Sequence, residues 1–213
     1  MKRIVFQGDS ITDAQRNRQH DEYPGNGYPT LIKARLGVDL PGQYECLNRG
    51  VSGDRIVDVY ARMRRDIVQL KPDIVSILIG INDVWHELGS GNGVAAPKFE
   101  RVYDWLLQEL KDELPGVTLV VLEPFVLPGG ATNDSPEHPD AWRFFHDETA
   151  LRAQASRRVA EKHGAVFVPL QKAFDEACEK ARPSWWLYDG VHPSSHGHEL
   201  IARRWMDAMG DRL

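Results

Sequence analysis

Two distant stretches of the chain carry side chains that together could attack a carbonyl. Ser10 ends Phe6-Gln7-Gly8-Asp9-Ser10, directly after a hydrophobic run, and Asp189 and His192 stand three apart in Tyr188-Asp189-Gly190-Val191-His192-Pro193. A serine hydroxyl is a poor nucleophile until a base takes its proton, and that base must be held in one tautomer by a third group. A spacing of three, on one helical turn or a tight bend, lets the Asp189 carboxylate meet His192 Nδ1 while Nε2 points outward. His192 is then the candidate base and Asp189 its orienter. Attack on a carbonyl also needs donors for the developing oxyanion. The main-chain N–H groups of Ser10 and Gly53 and the side-chain amide of Asn82 are the candidates. Each residue alone has a plainer reading: Ser10 as a helix cap, Asp189 as a cap beside a surface histidine, Gly53 and Asn82 as turn residues. What favours the chemical reading is that together they supply the parts of one machine, with Ser10, Gly53 and Asn82 at the ends of predicted strands.

Five runs read as strands: 2–6, 44–48, 73–80, 117–122 and 165–170. The third and fourth are almost continuously apolar, as strands covered on both faces are. Apolar residues at helical spacing predict helices behind them: 28–36, 56–70, 98–114, a long one through Ala160 stopped at Gly164, one to about Ala181, and 195–209. Residues 13–27, 81–97 and 124–139 read as loops. Strands alternating with helices imply right-handed crossovers and a three-layer α/β/α sandwich with a five-stranded parallel sheet. Ligands of such sheets bind beyond the C-terminal strand ends, where Ser10, Gly53 and Asn82 lie.

At 213 residues the chain reads as one domain spanning 1–213, large enough to bury a core without disulfides or metal. A net charge of -5 and a pI near 5.9 offer no basic footprint for nucleic acid. No apolar run approaches membrane-spanning length, so no membrane partner is expected. Cys46 and Cys178 lie far apart, outside any CxxC pattern, and read as buried packing residues of a reduced compartment. With the first strand beginning at Lys2 and no leader ahead of it, the expected location is cytoplasmic. The Arg62, Arg64, Arg65 cluster reads as a solvated helix face. No phosphate-cradling loop follows the first strand, which argues against a flavodoxin-like cofactor binder. Neither a cofactor nor a metal is expected.

Gly8-Asp9-Ser10, the glycine of Ser52-Gly53-Asp54, Gly80-Ile81-Asn82-Asp83 and Asp189-Gly190-Val191-His192 resemble, in order and spacing, the four blocks of the SGNH (GDSL-like) hydrolases. The resemblance spans essentially the whole chain. It implies a flavodoxin-like sandwich, Ser10 as nucleophile, Gly53 and Asn82 as oxyanion donors alongside Ser10, and Asp189 and His192 completing the triad. Within the family, residues 82–87 and 122–127 look like intracellular bacterial acetyl-xylooligosaccharide esterases. That implies a small acylated carbohydrate as substrate, with Trp85, Phe125 and Trp186 as candidate contacts. A lysophospholipase or thioesterase, and a catalytically silent sugar-binding module, are the alternatives. A homo-oligomer is compatible with the sequence, which leaves the number of subunits open.

Overall fold

A computed structural model describes all 213 residues. The strands are β1 (Lys2–Gly8), β2 (Tyr44–Asn48), β3 (Ile74–Leu78), β4 (Thr118–Leu122) and β5 (Val166–Val168). They form one parallel sheet in the order β2-β1-β3-β4-β5. The helices are α1 (Ser10–Asp13), α2 (Tyr28–Asp39), α3 (Ile56–Asp66), α4 (Ile81–Ser90), α5 (Ala96–Glu113), α6 (Ala141–His163), α7 (Gln171–Cys178), α8 (Pro183–Trp186) and α9 (Ser195–Met209). This is the expected three-layer sandwich.

Side chains alternate across a strand, and β1 shows the consequence. Ile4 and Phe6 enter one core with Tyr28 and Ile32 of α2 and Ile201 and Trp205 of α9; Val5 enters the other with Val59 of α3 and Leu106 of α5. Trp205, fully buried, donates its indole N–H to Ser76 Oγ on β3 at 3.0 Å, so its one polar atom costs nothing. Because the strand order reverses at β1, the loops after β1 and β3 diverge to opposite faces and leave a crevice at their C-terminal ends.

Three expectations need correction. Residues 81–90 are helical rather than loop: Ile81 and Val84 are buried at helical spacing, and Trp85 and Leu88 pack on the same core. The arginine cluster is not uniformly solvated. Arg64 and Arg65 side chains are 71% and 74% exposed, but Arg62 only 14%, because it turns under the α3 N-terminus toward buried acids. Cys46 is buried as expected, whereas Cys178 is only half-buried.

Candidate active site

Ser10 begins α1 immediately after β1. The turn is tight because Gly8 has φ +155, and a Cβ there would collide with the Leu78 carbonyl and the Thr12 hydroxyl. Asp9 caps α1, its Oδ1 accepting from Ile11 N at 2.9 Å. Burial pushes the Asp9 carboxyl up to about 7, against the pull of the Ile11 N–H and of His192. The short helix is anchored from β2. Buried Asn48 donates Nδ2 to the carbonyls of Thr12 (2.6 Å) and Pro24 (2.7 Å) and accepts from Gly50 N at 2.9 Å. Asp13 accepts from Ser52 N and Oγ at 3.2 and 3.1 Å, binding α1 to the Gly53 loop.

Asp189 and His192 lie on a tight bend between α8 and α9, not on a helix turn. An antiparallel bridge between Leu187 and Pro193 closes it. Asp189 Oδ1 accepts from the main-chain N–H groups of Val191 (2.9 Å) and His192 (2.8 Å), which leaves Oδ2 for His192 Nδ1 at 2.8 Å. Gly190 supplies the positive φ, +99, and a Cβ there would meet Thr132 and Leu127. His192 Nε2 reaches Ser10 Oγ at 3.0 Å. The carboxylate acceptor dictates a proton on Nδ1 and a lone pair on Nε2 facing the serine. Burial pushes Asp189 up, but the hydrogen bonds from His192 and the bend outweigh it and hold the carboxyl down at about 2. The Asp189 hydrogen bond raises His192 above the ordinary imidazole value, opposed by partial burial.

The candidate oxyanion donors stand at the three neighbouring strand ends. The N–H groups of Ser10 and Gly53 have no acceptor within the protein. Asn82, in the first turn of α4, spends one Nδ2 proton on the Asp54 carbonyl at 3.1 Å, keeping the other. Asp83 beside it is fully buried, with both carboxylate oxygens 3.2 Å from Ile56 N; burial pushes its carboxyl well above the usual range.

An open pocket of about 350 Å³ adjoins Ser10, with Gln15, Asn26, Tyr188, His192 and His198 among its walls. His198 is nearly buried. Its Nδ1 accepts from Tyr28 N at 3.2 Å, so the ring proton sits on Nε2, and burial drops its pKa to about 4. It is a neutral donor, not a second base.

The proposed substrate contacts fare unevenly. Trp85 lies beside His192, ring centroids 5.8 Å apart, and against Phe145. Phe125 is a correction: it is 1% exposed and stacked on Phe174 at 4.4 Å, because the loop after β4 dives beneath α7. Trp186 is a second correction. Its indole N–H is spent on the carbonyls of Ala177 (3.0 Å) and Ala181 (3.3 Å), and the ring packs away from the pocket, between α7 and α9. The aromatic that stands at the pocket is Tyr188, 69% exposed. Its position next to Asp189 was the signal for it.

The chain is similar to known proteins along nearly its whole length. Residues 6–200 match the GDSL-like Lipase/Acylhydrolase family model. The chain is 30% identical to an acetylxylan esterase from Geobacillus stearothermophilus, over 98% of this chain and 94% of that one. Among solved structures, a GDSL-like protein from Parabacteroides merdae superposes with a TM-score of 0.89 at 35% identity, covering 98% of this chain and 95% of the other. An acetyl-xylooligosaccharide esterase variant from Geobacillus superposes with a TM-score of 0.84 at 30% identity, covering 98% and 94%. A serine, a histidine and an acid set in line at the open end of such a sheet agree with what these relatives are named for: the chain belongs to the GDSL-like lipase/acylhydrolase family and is a carboxylic ester hydrolase.

Proposed function

We propose that the protein removes short acyl groups, chiefly acetyl, from carbohydrate hydroxyls by a Ser10-His192-Asp189 triad. The observation that carries the triad is the unbroken line from Ser10 Oγ to His192 Nε2 (3.0 Å) and from His192 Nδ1 to Asp189 Oδ2 (2.8 Å). Ser10 Oγ attacks the acyl carbon as its proton passes to His192 Nε2. Asp189 holds the Nδ1 proton and stabilises the imidazolium. The N–H groups of Ser10 and Gly53 and the free Nδ2 proton of Asn82 receive the oxyanion. The imidazolium then protonates the departing sugar oxygen, and water, activated by the same histidine, releases the acid.

The carbohydrate part of the reading is supported by the pocket and by the naming of the Geobacillus relative as an acetylxylan esterase. Gln15, Asn26 and His198 give a hydrogen-bonding rim, and Tyr188 offers an aromatic face for a sugar ring. A long acyl chain gains about 0.8 kcal/mol per methylene only where it is buried, and this pocket is open to solvent. Rates on p-nitrophenyl esters of rising chain length, with acetylated xylosides beside them, test the reading. Acetyl should exceed butyryl in kcat/KM, with octanoyl hardly cleaved and acetylated xylosides among the good substrates. A rate climbing through octanoyl would sink the carbohydrate reading and favour a lysophospholipase-like one.

A further inference from the structure

We propose that Arg62 is a positioning residue for ester hydrolysis, a guanidinium that joins the end of β1 to the Gly53 loop and so sets where the oxyanion donors stand. The inference rests on the oxyanion reading above. Arg62 sits mid-helix on α3 yet is largely buried, and its N–H groups go to four different places. Nε donates to Asp54 Oδ2 at 2.7 Å, directly after Gly53, and a second nitrogen pairs with the same carboxylate. Nη2 donates to Gln7 Oε1 at 2.9 Å, the oxygen that also accepts from Gly8 N at 3.0 Å, two residues before Ser10. Nη1 donates to the Arg49 carbonyl at 3.0 Å, just beyond β2, and pairs with Asp66 on its own helix.

These partners are the flanks of the candidate site. Gln7 precedes the nucleophile, Arg49 and Asp54 bracket the Gly53 loop, and the Asp54 carbonyl holds Asn82 Nδ2. One side chain therefore spans from the Ser10 turn to the Gly53 loop, and through Asp54 to Asn82. Only a planar fork with five donors can satisfy such a set; a lysine keeps the charge but not the geometry. Burial pushes the Asp54 carboxyl up even with Arg62 beside it, and the guanidinium limits that push. Gln7 Nε2 has no partner, so nothing but the fork fixes that amide from its oxygen end apart from Gly8 N.

The test uses p-nitrophenyl acetate with kcat expressed per site titrated by a fluorophosphonate, so that unfolded or missing sites do not count. Arg62→Lys keeps a cation between Asp54 and Asp66. Its kcat per site should fall about tenfold or more, with KM within about twofold, as expected when donors shift by a fraction of an ångström to an ångström. Asp54→Asn should fall in the same direction by less, which covers the case in which Arg62→Lys does not fold. In an Asn82→Ala background, Arg62→Lys should cost less than about threefold further, because the two changes damage the same donors. A wild-type kcat per site in both single variants overturns the proposal. So does a loss confined to KM, or one that carries undiminished into the Asn82→Ala background. Should Asn82→Ala itself keep full kcat, the failure lies in the oxyanion reading instead.

Discussion

Ser10 and His192 meet across 3.0 Å, but the chain on the two sides of that contact is held in different ways. Around Ser10 the supports are long-range and buried: Asn48 fastens the Thr12 and Pro24 carbonyls, Asp13 reaches Ser52, and Arg62 joins Gln7 to Asp54. Around His192 the supports are local. Asp189 alone supplies an acceptor to two main-chain N–H groups and to the imidazole within four residues. Ser10 is thus held by the whole sheet, whereas Asp189 and His192 form a self-sufficient bend docked against it. Damage on the first side should appear in stability as well as rate, and damage on the second in rate and pH dependence alone.

The largest effects should come from the contact itself. Ser10→Ala and His192→Ala are each expected to bring kcat to near background, roughly 10⁵–10⁶-fold down, and the double variant should be little worse, since both belong to one proton-transfer unit. Near-wild-type turnover by Ser10→Ala in a purified sample would remove the triad from consideration. Next, Asp189→Asn should lower kcat by about 10³–10⁴ through loss of the correct imidazole tautomer, while thermal unfolding shifts little because the bend is part-exposed. On the other side, Asn82→Ala should lower kcat by roughly 10²–10³ with a modest change in KM. A raised KM at unchanged kcat would put Asn82 in ground-state binding. Asn48→Ala sharpens the contrast. It strands two carbonyls and one N–H in the interior, costing about 1–3 kcal/mol or more of stability by denaturant unfolding, whereas a cost near zero would contradict the long-range account.

The pH profile separates the two sides at smaller magnitude. His192 must be neutral to accept the serine proton. The Asp189 hydrogen bond raises its pKa above that of an ordinary imidazole, about 6.5, with the Asp9 charge adding to the effect. The base is therefore lost earlier on acidification than a free imidazole would be, and kcat/KM should fall along a limb whose midpoint lies above 6.5. In Asp189→Asn the limb should move to lower pH. His198, held near 4 by burial, should leave no trace above that value. The smallest effect expected is that of Tyr188→Ala, at the rim. An acetylated xyloside should lose several-fold in KM, about 1 kcal/mol for one stacking face, while p-nitrophenyl acetate loses less. Equal losses on both substrates would take Tyr188 out of sugar binding.

The strand ends were legible because parallel strands buried on both faces leave long apolar runs, and the polar residues at their exits stand out against them. The helix at 81–90 carried its own signal, Ile81, Val84, Trp85 and Leu88 at helical spacing, masked by the glycines that flank it. Phe125, just after β4, and Trp186, at the end of α8, misled for one reason: an aromatic in a short connecting segment has the same sequence appearance whether that segment opens to solvent or packs on a neighbouring helix.

By itself, the sequence determined the sheet and the polar residues at its strand ends, and it singled out Ser10, Asp189 and His192, which the structure brings into contact, since these depend on periodicity and on short spacings along the chain. Tertiary structure alone decided which aromatic meets the pocket, that His198 is a neutral donor, and that one of three neighbouring arginines is turned inward to four acceptors. Those outcomes depend on which distant carbonyls and carboxylates are brought within 3 Å of a side chain and on how much water is excluded there, and neither quantity is local in the sequence.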